Sequence, residues 1–324
     1  MTIPIEVVHK SHAVTAKGCL AKLRFQDIWK IPPPFVNESG LAGSAFHDAV
    51  EDYHRYQIQA RRDGTFEDEN SILDDAKYWF EKFVSNFHRR KESTTKAGIK
   101  INTADDIKAE DFAVMINGYI KKSYNRYAEP ILIETKFYFE IQRGHKVYKF
   151  AGTIDQLLKI KLEHLPFNPN DVDVAKKGYV YLHRDIKTGK KNDPGMLEVN
   201  DDINLYSYAL AFGAFDLDGD GICEQRINLI PFAHCLYFVR DHIPYLKSGK
   251  TKSGRVYKAG EDRGSGMQFV KRTYNQLKAI EDELIETHKY VNCGVYPRIG
   301  KLHNMCVNYC AYKEPCFKDL IGEM

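Results

Sequence analysis

Gly152-Thr153-Ile154-Asp155 and, thirty residues after that acid, Asp185-Ile186-Lys187-Thr188-Gly189 set two carboxylates and a lysine in strand-like surroundings. Tyr179 to Ile186 is rich in aromatic and β-branched residues, as is Val147 to Ile160, which carries Asp155. Side chains alternate faces along a strand, so Asp185 and Lys187 point the same way. Gly152 marks a place where backbone can approach another group closely. Carboxylates on neighbouring strands can share one Mg²⁺ or Mn²⁺, because hard cations take oxygen ligands, and water polarised by such a cation becomes a nucleophile near neutral pH. A lysine beside it orients that water or offsets charge developing on a phosphate. The pattern points to a metal-dependent nuclease on an α/β fold, against the plainer reading of two solvated acids at strand ends.

Three further stretches bear on this. Gly43-Ser44-Ala45-Phe46-His47-Asp48-Ala49-Val50-Glu51 is helix-like, and His47 and Glu51, spaced i,i+4, share a face. A lone helical histidine is more often structural than a ligand. Ile131-Leu132-Ile133-Glu134 reads as a strand ending in an acid that either adds an oxygen to the same metal or is a surface charge. Asp202 to Leu210 reads as an amphipathic helix on which Asn204 and Tyr208 share a face, with a core-edge aromatic as the plain account of Tyr208.

Taken in order, these pieces resemble the RecB-like nuclease branch of the PD-(D/E)XK superfamily. That branch carries a G-x-x-x-H helix, an acid on a following strand, a G-x-x-D, a D-x-K often followed by Thr-Gly, and a Q-x-x-x-Y helix. The matching residues are Gly43 and His47, Glu134, Gly152 and Asp155, Asp185 and Lys187, then Asn204 and Tyr208, with Asn204 a shorter amide than the family glutamine. The resemblance implies a mixed central sheet flanked by helices, with helical N-terminal additions and a C-terminal cysteine-cluster tail. It implies that His47, Asp155, Asp185 and the Ile186 carbonyl hold Mg²⁺ or Mn²⁺, that Glu134 supports them, that Lys187 is catalytic, and that Asn204 and Tyr208 serve DNA contact. The activity implied is that of an exonuclease on single-stranded or unwound DNA in recombination, repair or phage and CRISPR DNA processing. Its partners would be DNA and a helicase, recombination or CRISPR-adaptation protein. The alternatives are a structure- or sequence-selective endonuclease and a non-catalytic DNA-binding or scaffolding subunit. A redox-responsive protein is a third.

The cysteines carry a second signal. Of seven, three crowd into Cys306-Val307-Asn308-Tyr309-Cys310-Ala311-Tyr312-Lys313-Glu314-Pro315-Cys316. Met1 to Leu20 has no apolar run of the secretory kind, so the expected location is cytoplasmic, the host cytoplasm for a viral chain, and a disulfide framework is not expected. Three thiolates and a fourth from elsewhere can hold a 4Fe-4S cluster or a tetrahedral Zn²⁺, and spacing alone does not decide between them. A subset of RecB-like nucleases has one cysteine near the N-terminus and three near the C-terminus around an iron-sulfur cluster. That resemblance assigns Cys19, Cys306, Cys310 and Cys316 to a 4Fe-4S centre tying the two chain ends together, with Zn²⁺ as the alternative and Cys293 as a substitute ligand.

At 324 residues and a formal net charge of +3 the chain can bury a large core, and its overall charge is too small to establish nucleic-acid binding. Local basic stretches, Lys247 to Arg263 and Phe87 to Lys91, are candidates for phosphate contact, or a solvated loop and a helix end. No apolar stretch is long enough to span a bilayer; the longest, Ile227 to Val239, is expected to be a buried strand. Asp216-Leu217-Asp218-Gly219-Asp220-Gly221 copies half of a calcium loop but has Ile227 where the bidentate glutamate belongs, so it reads as a turn. Helices are expected over about 42–58, 71–91, 105–126 and 267–290, and strands near 131–142, 148–160 and 179–187, with 163–177 a loop. A single domain results, with a helical part (1–126), a nuclease core (127–265) and a helix with a cysteine tail (266–324).

Overall fold

The computed structural model describes residues 5–66, 71–102, 109–165, 172–188, 201–227, 236–243, 249–250, 256–257, 267–296 and 310–321. Its centre is a seven-stranded mixed sheet flanked by helices. The strands are β1 (Val7–His9), β2 (Glu129–Arg143), β3 (Lys146–Lys161), β4 (Tyr179–Thr188), β5 (Ala214–Phe215), β6 (Leu236–Ile243) and β7 (Met267–Val270). Their order is β7-β6-β4-β3-β2-β5, with β1 against β3. Strands β2, β3 and β4 form an antiparallel meander, and β6 returns parallel to β4 after a helical crossover. Arg143 pairs with Lys146 across the two-residue turn Gly144-His145, and Gly144 takes the positive φ (62°) that such a tight hairpin requires. Strand β3 is 16 residues long and serves two neighbours on one edge, β1 along Lys149 to Ala151 and β4 along Gln156 to Lys161.

The described helices of most consequence are α1 (Lys10–Gly18), α2 (Glu38–Asp63), α3 (Ala76–Lys96), α4 (Ala109–Ile120), α5 (Asp201–Phe212), α6 (Tyr274–Val291) and α7 (Lys313–Leu320). Helix α2 buries Ala42, Ala45, Phe46, Ala49, Val50 and Tyr53, a three-and-four spacing that makes one apolar stripe, and ends at Gly64 in the left-handed conformation. That stripe, α3 and α4 enclose a core into which β4 contributes Ile186. Opposite, α1, α5 and α6 cover Phe137, Phe150, Ile154, Leu157 and Phe238. Leu236, Tyr237, Phe238 and Val239 of β6 are all buried, as expected of a strand covered on both faces. Arg184, fully buried, bonds Gln156, Asn125 and Tyr119 and so fixes β4 against β3 and the helical side.

Four sequence expectations need correction. Within 163–177 there is a helix, Val172–Lys177, after a single turn at Leu162–His164. Met267–Val270 is a strand, and α6 starts only at Tyr274, behind a capping box between Thr273 and Gln276. The strand foreseen at Ile227 to Val239 runs on past Val239 to Ile243, its described part being Leu236–Ile243; 228–235 lies outside the described residues. Finally, the N-terminal part is not purely helical, because Val7–His9 joins the central sheet and Val8 is fully buried in its core. Among the described residues no helix is long and apolar enough to cross a membrane.

Candidate functional site

The two acids meet where β3 and β4 run side by side. Continuing the register from Gln156 opposite Arg184 sets Asp155 beside Asp185 on the face turned toward α1 and α5. Asp185 is fully buried and Asp155 nearly so. Lys187 extends from the same face of β4 and donates to Asp185 Oδ1 at 2.6 Å. The Ile186 amide donates to Asp155 Oδ2 at 3.3 Å. His47, on α2, closes the group with Nδ1 3.7 Å from Glu134 Oε1 and 4.0 Å from Asp155 Oδ2. Of these residues, Asp155, His47 and Glu134 line an open cleft of about 360 Å³, together with Ser44, Asp48, Glu51 and Arg90.

Two local features hold this geometry. Glu134 sits in a strand with φ of +44°, a left-handed conformation that non-glycine residues avoid, and this kink interrupts the ladder between Ile133 and Thr135. Such strain costs about 1–3 kcal/mol and is retained here where it brings a carboxylate to His47. Gly43, four residues before His47, lies so close to β4 that a Cβ there would come within 2.8 Å of Thr188 Oγ1. The glycine of the G-x-x-x-H stretch thus lets α2 approach the end of the D-x-K-T strand.

Electrostatics follow from burial. Asp155 is pushed up to about 6, by burial first and by the Asp185 charge second, while Lys10, Lys187 and His47 act against this. Burial lowers the pKa of His47, but its ion pair with Glu134 and the charge of Asp155 outweigh that and raise it overall. Lys187 is also raised: burial opposes its charge, and the neighbouring Asp185 and Asp155 more than compensate. It therefore remains an ammonium at neutral pH.

Two site residues escaped sequence reasoning. Lys10, the first residue of α1, has Nζ 3.7 Å from Asp185 Oδ1 and donates to the Tyr206 hydroxyl, with its ammonium 4.6 Å from the Tyr206 ring centroid. Tyr206, on α5, is fully buried, and burial with the nearby Asp155 and Asp185 charges holds its phenol well above the usual range. Asn204 and Tyr208, expected to serve the substrate, instead face α6. Asn204 donates to Glu283 at 2.9 Å and accepts from Arg272 at 3.0 Å, and Tyr208 donates to Glu281 at 3.2 Å. The tyrosine that α5 presents to the acids is Tyr206, two residues earlier.

Cys19, Cys310 and Cys316 pack around Phe25 and Tyr312 in one cluster, to which Arg24 adds an ion pair with Asp319. The Cys310 thiol is pushed up by burial, with Cys19 and Cys316 adding to the effect. Cys306 lies outside the described residues, and Cys293 is exposed and bonded to the Val295 carbonyl at 2.9 Å. The carboxylates of Asp216, Asp218 and Asp220 lie within 4.8 Å of one another, and Asp216 accepts from the Gly219 and Gly221 amides at 2.7 and 3.1 Å, the bonding of a tight turn. Most of Lys247 to Arg263 lies outside the described residues. Of the other basic stretch, Arg90 pairs with Asp48 at 2.6 Å and Lys91 with Glu38 at 2.6 Å, tying α3 to α2 at the cleft's edge.

No family model and no curated protein matches the chain. Among solved structures, one described as "Crystal structure of SSO0001" is similar at 12% identity, covering 92% of each chain, with a TM-score of 0.27. A score that low bears on neither fold nor function.

Proposed function

We propose that the protein is a metal-dependent deoxyribonuclease of the PD-(D/E)XK kind, acting on single-stranded or end-containing DNA. The observation that carries this reading is that Asp155 and Asp185 stand side by side on adjacent strands with Lys187 bonded to Asp185, while Asp155 also borders a cleft lined by His47 and Glu134. The chain order of that frame, helix α2, meander β2-β3-β4, helix α5 and parallel strand β6, supports the superfamily assignment. The donors suit Mg²⁺ or Mn²⁺: the buried carboxylate oxygens of Asp155 and Asp185 are ligands of the kind hard cations take, with a softer imidazole beside them, and Asp155's elevated pKa reports chiefly its burial and then the Asp185 charge. When bound, such a cation supplies Lewis acidity toward phosphoryl oxygen and water.

The protein's own groups have separable roles. Asp155 and Asp185 would ligate, and the Ile186 amide orients Asp155. Glu134 restrains the His47 ring. Lys187, protonated, cannot serve as a general base; it offsets charge on the scissile phosphate. The acids Asp48, Glu51, Glu134 and Asp155 make the cleft repel a bare phosphodiester, so DNA binding should itself require the cation. Cys19, Cys310 and Cys316, with Cys306, are proposed to hold a 4Fe-4S cluster or Zn²⁺ of structural purpose; the support for this is that the first three pack against one small core. A helicase, recombination or CRISPR-adaptation partner remains part of the proposal through the family resemblance.

The test is digestion of end-labelled linear and closed circular single-stranded DNA with Mn²⁺, Mg²⁺ or chelator, alongside Asp185→Ala. Metal-dependent loss of the linear strand alone is expected; cutting of the circle would make it an endonuclease, and no cleavage under any condition would overturn the assignment.

A further inference from the structure

Asp185 Oδ1 is approached by two ammonium groups, Lys187 at 2.6 Å and Lys10 at 3.7 Å. The second comes from far away in sequence, on the first turn of α1. Local rules do not favour it there: a helix N-terminus carries partial positive charge, and the first turn of α1 holds no acid to offset a lysine. Its position is accounted for by tertiary partners, the Asp185 carboxylate and the Tyr206 hydroxyl and ring. Beneath them lies His183, two residues before Asp185 on the same face, fully buried with neither ring nitrogen hydrogen-bonded and its ring 4.5 Å from that of Tyr206. Among the described residues, Lys187 and Lys10 are cations that approach this buried carboxylate.

We infer that Lys10 is a positioning residue of the metal site: in the metal-free protein its ammonium balances Asp185 and tethers Tyr206, and it yields Asp185 to an arriving divalent cation. The physical basis is crowding of charge. A divalent ion on Asp185 would stand a few ångströms from both ammonium groups, and like charges at about 4 Å in a partly buried site repel strongly. Lys10 has the longer contact and a second partner in Tyr206, so it is the one to withdraw. It therefore competes with the metal and weakens its binding, the reverse of what a purely structural contact does. This inference rests on the metal-site reading above but not on DNA cleavage.

The test uses the whole protein and Mn²⁺ alone, followed by titration calorimetry. Lys10→Met, which keeps the aliphatic stem against Tyr206, is expected to bind Mn²⁺ about tenfold more tightly than wild type, and Lys10→Arg, which keeps the charge, to stay within about twofold. Unchanged or weaker binding by Lys10→Met overturns the inference. Where that variant does not fold, acylation of lysines in the wild type, read by mass spectrometry, replaces it: Lys10 should become more reactive on adding Mn²⁺, and unchanged reactivity overturns the inference. Wild-type protein that binds Mn²⁺ without cleaving DNA would remove the nuclease reading and leave Lys10 to be judged by these titrations. Wild-type protein that binds no Mn²⁺ would overturn both.

Discussion

Asp155 is stabilised in the wrong protonation state for folding alone. Its pKa rises from an ordinary 3.8 to about 6, so its contribution to stability is full below the lower value and is lost as pH rises through the upper one. At pH 7.5 the metal-free protein should bear a cost of about 3 kcal/mol from this carboxylate. Asp155→Asn should therefore melt higher than wild type at pH 7.5 without metal, by about 1–3 kcal/mol, and equal it near pH 3.5. A thermal-shift series across that range checks the sign. The same substitution should abolish Mn²⁺ binding. In wild type, Mn²⁺ affinity should fall between pH 7.5 and 5.5, because Asp155 and His47 take up the protons that a cation must displace. Lys187→Ala should lower cleavage by about a thousandfold or more while leaving Mn²⁺ bound at least as tightly as in wild type, as measured by single-turnover kinetics and calorimetry. Tyr206→Phe should reduce cleavage, whereas Tyr208→Phe, which loses only its bond to Glu281, should cost stability alone. Single residues on strands were legible because period two is unambiguous: Asp185 and Lys187 do share a face.

Elements were less evenly readable. Helix α5 was placed in sequence, but its active face was not, since Ile203 through Leu210 are all buried and no polar stripe distinguishes one i,i+4 pair from another. Asn204 with Tyr208 and Asp202 with Tyr206 satisfy the same spacing, and tertiary packing chooses between them. The kink at Glu134 was equally invisible: nothing in Ile131-Leu132-Ile133-Glu134-Thr135 announces a left-handed backbone in mid-strand. By contrast, Gly43 was visible as a motif member, and its reason is steric. Gly43→Ala would drive a methyl group against Thr188 and displace α2 from β4, moving His47 away from Asp155. We expect about a tenfold loss of cleavage with a change in melting free energy of about 1–2 kcal/mol, the former read by kinetics and the latter by denaturation.

At the scale of the molecule, segments distant in sequence are tied together at several points. Ile5 exchanges hydrogen bonds with Asn292, Tyr312 bonds Ile31, Phe25 stacks on Tyr312, and Cys19 joins Cys310 and Cys316. Cys316→Ala should lower the melting temperature before it lowers the cleavage rate per folded molecule; a mutant as stable as wild type would refute a structural role for the thiols. The clustered cysteines made this tie legible, whereas β1 was not, because three residues give no periodicity and their partner strand lies some 140 residues downstream. That long-range pairing sets a timetable for biosynthesis. At translation rates of about 5–20 residues per second, Val8 waits many seconds for Phe150, and Ile5 longer still for Asn292. Asp155, Asp185, Lys187 and Tyr206 all leave the ribosome before α6 and the last thiols do, so the partners of Lys10 are present while the segments that join the chain's two ends are still being made. A half-made chain would therefore carry Asp155, Asp185 and Lys187 without the contacts of Asn292 and Tyr312 that tie the two ends of the finished molecule together.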